Sequence, residues 1–365
     1  MGTGEGGHGK PADKADKLGR PTSRDVARLA GVSHTAVSFV FNDRAEGNLS
    51  AATQERIRQA AARLGYRPDP VARGLRRRRT AVIGLVTDEI ASSPFAGRLL
   101  RGAMETAWDS GHLVLTVDSG GDPAKEDAAV AELLDRRVDG IIYAAMSLRR
   151  VRVPEGLHRT RSVLANCLAE DDSLPAVIPA ERAGGRTAAR LLLDEGHRRV
   201  AMVGGQDDMA SVERLRGFRD AVRAKGIIVP KEWVLRTGGE ISGGYEGALR
   251  MLDGVPADRR PTGVFCYNDR VAAGVLHAAA RLGIAVPGDL SVVGYDDQEH
   301  MAEFLAPPLT TVALPHRAMG EAVARLLLEA IETGRTPPAT TRRLAGPVIS
   351  RASVGPAQVG PAPTP

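Results

Sequence analysis

The sequence predicts an all-α helix-turn-helix headpiece joined to an α/β core of two doubly wound parallel-sheet lobes. Three observations predict this. Residues 21–66 carry short amphipathic helical patterns broken by a glycine turn. From residue 81 onward, short β-rich runs alternate with helical stretches, a pattern that builds parallel sheets covered by helices. The charge divides at the same place. Residues 1–80 hold 16 Lys+Arg against 8 Asp+Glu, a net of +8, while the remainder holds 33 against 36, a net of −3. A basic excess confined to a helical module is the electrostatic footprint expected of phosphate binding, although a solvated face would show it too.

Each section follows from its composition. Residues 1–20 are rich in Gly, Lys and Asp and nearly free of large apolar side chains, which predicts a disordered arm. The headpiece spans 21–67. In PTSRDVARLAGVSHTAVSFVFN (21–42), Ser23 suits the cap of a first helix with Val26, Ala27 and Leu29–Ala30 facing inward. Gly31 closes that helix, because glycine accepts the left-handed conformation of a tight turn. Ser33 caps a second helix with Val37, Val40 and Phe41 at the spacing of a buried stripe, and a third runs from Ser50 through Ile57 to Leu64. Taken alone, this pattern also fits a helical hairpin within a larger core.

Residues 68–79 form a basic, proline-punctuated connector in which Leu75 stands as an isolated apolar residue with Ala72 at i−3. The core spans 80–351. TAVIGLV (80–86), LVLTV (113–117), GIIYA (140–144), SVLA (162–165), RVAMVG (199–204), GVFCY (263–267) and LSVVGY (290–295) read as buried strands. Helical stretches lie at 124–136, 181–195, 211–225, 242–254 and 268–283. This alternation is long for one sheet and suits two lobes with a cleft between them. Residues 352–365, ending in GPAQVGPAPTP, read as a disordered proline-rich tail.

Composition excludes several classes. No run of 18 apolar residues predicts a membrane span, and the charged N-terminus lacks the apolar stretch of a signal peptide, so a cytoplasmic location is expected. Cys167 and Cys266 lack metal-ligand spacing and read as buried apolar residues; no metal and no cofactor are expected. There is no GxGxxG after the first strand, no P-loop and no GxSxG, and nothing supplies a nucleophile with its base. An enzyme is not expected.

The segments DVARLAGVSHTAVSFVFN, LSAATQERIRQAAARLGYRPDPVARGL and TAVIGLV closely resemble the lactose/galactose repressor family of bacterial transcriptional regulators. GHRRVAMVGG, ERLRGF, CYNDRVA, SVVGYDD and PPLTTV follow in family order, so the resemblance runs from about residue 21 to 351. It implies a periplasmic-binding-protein-like core, a homodimer on double-stranded pseudo-palindromic operator DNA, and control by a small sugar-like effector. A periplasmic-type binding protein without a DNA role is the alternative that the headpiece argues against.

Carried over by position, the recognition-helix residues fall on His34, Thr35 and Ser38, with Asn42 near the helix end, where it suits either a DNA contact or support of the fold. Ser50 and Thr53 suit phosphate contacts through a hydroxyl and a helix N-terminus, and Ser23 is placed among the DNA-binding residues. At Phe39 the family often has an arginine that contacts guanine. Phenylalanine cannot make that contact, which leaves a thymine methyl contact or packing. The resemblance also implies that residues 70–76 fold into a hinge helix on DNA, with Leu75, and Ala72 on the same face, entering the minor groove as an apolar wedge. A flexible basic linker is the competing reading.

For the cleft, the resemblance and the strand-end rule select Asp88, Phe95 and Asn166 in the first lobe, and Arg214, Ile241, Asn268 and Asp296 in the second. Structural readings compete here as well: Asn268 as a helix cap, Asp296 as a turn cap, and Arg214 as a surface helix residue. Where the family often stacks an aromatic ring, this chain has Ile241, so no particular sugar or purine carries over.

Overall fold

A computed structural model describes residues 21–42, 44–66, 79–89 and 96–358. The arm at 1–20, Ala72, Leu75 and Phe95 lie outside the described residues. The chain divides into two compact units at Thr80/Ala81.

Among its described residues the first unit has three helices, α1 (Ser23–Ala30), α2 (His34–Phe41) and α3 (Ala51–Leu64). Val26, Ala27, Ala30, Val37, Val40, Ile57 and Ala60 meet in one small core. Gly31 ends α1 at φ 62°, ψ 41°, and its backbone N–H reaches back to Ala27 and Arg28. Ser33 caps α2 through the Ala36 N–H, and Phe41 packs edge-on against Tyr66 at 5.6 Å.

Two readings of α1 need correction. Its cap is Thr22, and Ser23 is already helical. Thr22 has Asp25 three residues on, and that carboxylate accepts the Thr22 N–H at 2.9 Å, closing a capping box that Ser23 could not form with Val26. Leu29 is 43% exposed. At 100° per residue it lies roughly 100° from the middle of the arc formed by Val26, Ala27 and Ala30, so it falls outside the buried stripe.

The second unit holds two six-stranded sheets. The first has the order β11-β5-β4-β3-β1-β2. It comprises β1 (Val82–Thr87), β2 (Leu113–Asp118), β3 (Ile141–Val151), β4 (Ser162–Ala169), β5 (Ala176–Pro179) and β11 (Thr341–Leu344), all paired in parallel. Helices α4 (Ala96–Asp109), α5 (Pro123–Asp135) and α10 (His316–Thr333) cover it. The second sheet has the order β12-β10-β9-β8-β6-β7. Its strands are β6 (Val200–Val203), β7 (Val234–Leu235), β8 (Gly263–Cys266), β9 (Ser291–Asp296), β10 (Thr310–Ala313) and β12 (Val348–Ile349). Only the β10–β12 pair is antiparallel. Helices α6 (Glu181–Asp194), α7 (Met209–Ala224), α8 (Ile241–Leu252) and α9 (Asp269–Arg281) pack on it.

The chain crosses between lobes three times. Ala180 joins β5 to α6, Leu314–Pro315 joins β10 to α10, and residues 345–347 join β11 to β12. Glycines let the helices of the second lobe approach closely. A Cβ at Gly185 would stand 2.1 Å from the Arg214 carbonyl oxygen, and one at Gly217 would stand 2.0 Å from that of Arg182. The α6–α7 contact therefore depends on both.

The tail reading also needs correction, because residues 352–357 are built into the second lobe. Ser353 is fully buried; its hydroxyl donates to the Val292 carbonyl at 2.6 Å and accepts from the Thr310 N–H at 2.8 Å. Gly355 meets the ring of His197, and the Ala357 N–H donates to the Glu195 carbonyl at 2.8 Å. Composition alone missed this, because the segment is held mainly through backbone groups and the Ser353 hydroxyl, with Val354 its one side chain packed on the second-lobe core.

Candidate functional site

In the headpiece, His34 and Thr35 are exposed at the start of α2. The His34 Nε2 lies 2.9 Å from the Ser23 hydroxyl, so Ser23 orients this ring. Asn42 donates its Nδ2 to both the carbonyl (2.6 Å) and the hydroxyl (3.0 Å) of Ser38. These bonds match the fold-supporting role of Asn42 and draw Ser38 into the end of its own helix. Phe39 is half-buried. The Ser50 hydroxyl accepts the Thr53 N–H at 3.3 Å and lies 2.9 Å from the Thr53 hydroxyl, which caps α3.

In the core, the first-lobe residues are tied to β3. The Asp88 carboxylate accepts the Met146 N–H at 2.9 Å and pairs with Arg149 at 3.0 Å. Asn166, at φ 58°, donates to the carbonyls of Ala145 and Met146, both at 3.0 Å. Both side chains thus hold the register shift of β3 between Ala144 and Arg149. They are anchors for the wall as much as candidate contacts to a ligand.

Arg214 is the centre of the second-lobe wall. It is 3% exposed, so the surface-helix reading is corrected. Its Nε and Nη2 donate to the two carboxylate oxygens of Glu181 at 2.7 and 2.9 Å, and its Nη1 donates to the Tyr267 carbonyl at 2.7 Å. The guanidinium lies over the Tyr295 ring at 3.7 Å and the Tyr267 ring at 4.8 Å. Its fork is therefore occupied. Through Nε and Nη2, a two-pronged grip on a ligand carboxylate or phosphate, which the sequence alone leaves open, would require Glu181 to let go. Removing either partner of such a pair costs about 3–5 kcal/mol, because the other charge is left buried and alone.

Asp296 stands at the end of β9 with φ 104°, its Oδ1 3.4 Å from Arg214 Nη1 and without a hydrogen-bond partner. Burial raises its carboxyl well above the usual carboxylate range, against the opposing pull of Arg214. For Arg214 itself burial favours the neutral form, but Glu181 and Asp296 outweigh it and hold the guanidinium charged. Burial also pushes the Tyr267 phenol up to about 12. Asn268 caps α9 through the Val271 N–H at 2.8 Å and donates its Nδ2 to the Gly239 carbonyl at 2.9 Å, so the cap reading describes its bonds. Ile241 opens α8 and is 45% exposed.

Sequence reasoning missed Glu181, Arg149, Tyr267 and Tyr295. The two tyrosines lie inside CYND and GYDD, beside residues that were selected. Glu181 stands two residues past β5, a strand whose short AVIP run gives no strand signal of its own. The lobes meet around this wall: Met209 and Ala210 at the start of α7, together with Tyr267, pack on the first-lobe cluster of Val130, Tyr143 and Cys167. Among the described residues no group of three possible ligands could hold a metal ion, and no helix is long and apolar enough to cross a membrane.

A helix-turn-helix unit followed by two doubly wound lobes, with polar side chains at the strand ends of both, defines a DNA-binding transcriptional regulator with a binding-protein-like core. Residues 22–69 match bacterial regulatory proteins of the lacI family, and residues 189–354 match the periplasmic binding protein-like domain. The HTH-type transcriptional repressor PurR of Vibrio parahaemolyticus is 34% identical over 316 residues, covering 85% of this chain and 92% of the relative. That of Photobacterium profundum is 30% identical over 327 residues, with the same coverage. The lac repressor dimer bound to operator and the anti-inducer ONPF is similar with a TM-score of 0.74 and 26% identity, covering 92% of this chain and all of that one. A CelR–cellobiose complex matches with a TM-score of 0.63 and 29% identity over the same shares. The chain belongs to the LacI family and is a DNA-binding transcriptional regulator, not an enzyme.

Proposed function

We propose that the chain is an effector-controlled repressor that binds a pseudo-palindromic operator as a homodimer. The observation that carries this reading is that Asp88, Asn268 and Asp296 stand at or just past the carboxyl ends of β1, β8 and β9, with Arg214 of α7 paired to Asp296. Ligands of open α/β sheets bind at that end. His34 and Thr35 read base edges, Ser23, Ser50 and Thr53 place the backbone, and Leu75 with Ala72 wedges the minor groove. Phe39 replaces a polar base contact with an apolar one, giving an operator preference of its own. The effector is a small metabolite held between the lobes, with Phe95 and Ile241 as its apolar neighbours. It acts by binding one lobe arrangement more tightly than the other. The PurR repressors it resembles support the repressor reading, and the CelR–cellobiose complex supports a sugar-like ligand.

Salt-dependent gel retardation on palindromic DNA tests the first half. Absence of binding at low salt, with and without metabolites, would end the reading. For the second half, Asp296→Ala should abolish effector response and spare operator binding; an unchanged response would remove Asp296 from the site. Leu75→Ala should weaken specific binding much more than nonspecific binding, and an equal loss in both would dismiss the wedge.

A further inference from the structure

We propose that Glu181 sets the charge selectivity of the cleft: by occupying the fork of Arg214, it makes the site take an uncharged or cationic, donor-rich effector and refuse phosphate and carboxylate groups. The proposal rests on the reading of the cleft as the effector site and goes further by naming the ligand class.

Each cation that faces the wall already has a carboxylate partner. Arg149 is matched by Asp88 at 3.0 Å, and Arg270, whose charge reaches Asp296, is matched by Glu240 at 3.4 Å. Arg214 faces two carboxylates, Glu181 at 2.7 Å and Asp296 at 3.4 Å. The bond from Arg214 Nη1 to the Tyr267 carbonyl takes up a further proton of the guanidinium. An incoming anion would find the side-on fork of Arg214, its Nε and Nη2, already taken by Glu181. A hydroxyl or amine would instead find the Oδ1 of Asp296, a buried acceptor that receives no hydrogen bond among the described residues and whose desolvation a donor offsets.

Glu181 is fixed in place. It is 4% exposed at the first turn of α6, and α6 is pressed so closely onto β9 that a Cβ at Gly184 would stand 1.9 Å from the Tyr295 hydroxyl. The rings of Tyr295 and Tyr267 keep the guanidinium in the plane that faces Glu181. Displacing this carboxylate would require the whole helix start to move.

The test is thermal melting of the full chain with inorganic phosphate at matched ionic strength, in wild type, Glu181→Gln and the Glu181→Gln/Arg214→Met double variant. Wild type should show no saturable shift. Glu181→Gln keeps a hydrogen-bond acceptor for Arg214 and removes one negative charge, so it should gain a saturable rise of about 3 °C at tenfold excess over Kd. The double variant should lose that gain. A saturable shift in wild type, or a flat response in a folded Glu181→Gln, would overturn the proposal. If Glu181→Gln fails to fold, the decision falls to wild type with glucose against glucose 6-phosphate and adenosine against AMP. A phosphorylated member stabilising more than its parent overturns the proposal, and none doing so supports it. None of these measurements uses DNA, so a chain that bound no operator would leave their outcome standing.

Discussion

Arg98 and Glu299 join the two lobes: Nε of Arg98 on α4 donates to Oε1 of Glu299 at 2.7 Å. Asp297, two residues before Glu299, lies 3.5 Å from the same guanidinium and accepts from Arg351 at 2.7 Å. The loop that carries them starts at Asp296, and Asp296, Asp297 and His300 all take positive φ. A ligand that moves Asp296 therefore pulls on a segment latched to the first lobe.

Arg98→Ala should shift the effector concentration for half-maximal operator release or retention by roughly two- to fivefold. Both partners are partly exposed, and such pairs contribute little more than about 1 kcal/mol. Operator affinity without effector should change less. Effector titration in a gel-retardation assay measures both, and an unchanged midpoint would show that the latch does not take part.

Thr22→Ala should destabilise the headpiece by about 1 kcal/mol through loss of the capping box. Ser23→Ala should leave its stability nearly unchanged and act on DNA binding through the freed His34 ring. Melting of the two variants separates these effects. Equal destabilisation would return the cap to Ser23.

Asp269 gives a pH prediction. Its carboxylate accepts from the Thr311 hydroxyl and the Gln298 N–H, both at 2.7 Å, but burial dominates and raises its pKa from 3.8 to about 6. The native state holds a proton that the unfolded chain releases across that window, so this group's contribution to stability falls as pH rises from about 4 to about 6. The stability of wild type relative to Asp269→Asn should drop by up to about 3 kcal/mol over that range and stay level on either side. Denaturant unfolding at several pH values reads it, and a flat difference would refute it.

Trp108 on α4 is 70% exposed, and Leu113 on the edge strand β2 is 57% exposed. Large apolar side chains left on the surface of one chain mark the face a homodimer would cover. Trp108→Glu should shift sedimentation from dimer towards monomer and weaken operator binding at least tenfold, while a dimer that persists would place the interface elsewhere.

Much of the fold was legible because its central strands are continuous apolar runs. VIGLVT and SVVGYD are buried along nearly their whole length, as parallel strands covered on both faces must be. β11 and its neighbour β5 were not. β11, TRRL, is polar and only four residues long, and β5, AVIP, ends in proline. α10 was passed over although its apolar face is strong, and its place is non-local: it follows a second-lobe strand yet packs on α4 of the first lobe. The site shows the same divide. Asp296 and Asn268 announce themselves at strand ends, whereas Glu181 acquires its meaning from Arg214, 33 residues away. No local pattern records that pairing.

The three crossings have a consequence for how such genes can be shuffled. Because α10 and β11 return to the first lobe, neither lobe is a contiguous stretch of coding sequence. An exchange at Ala180 would deliver a lobe stripped of a helix and an edge strand, and a chimaera made there would start life misfolded. Among the described residues, the junction at Thr80/Ala81 falls between the helices of the first unit and the sheets of the second. Recombination can trade one operator specificity for another at that point while inheriting the sensor whole.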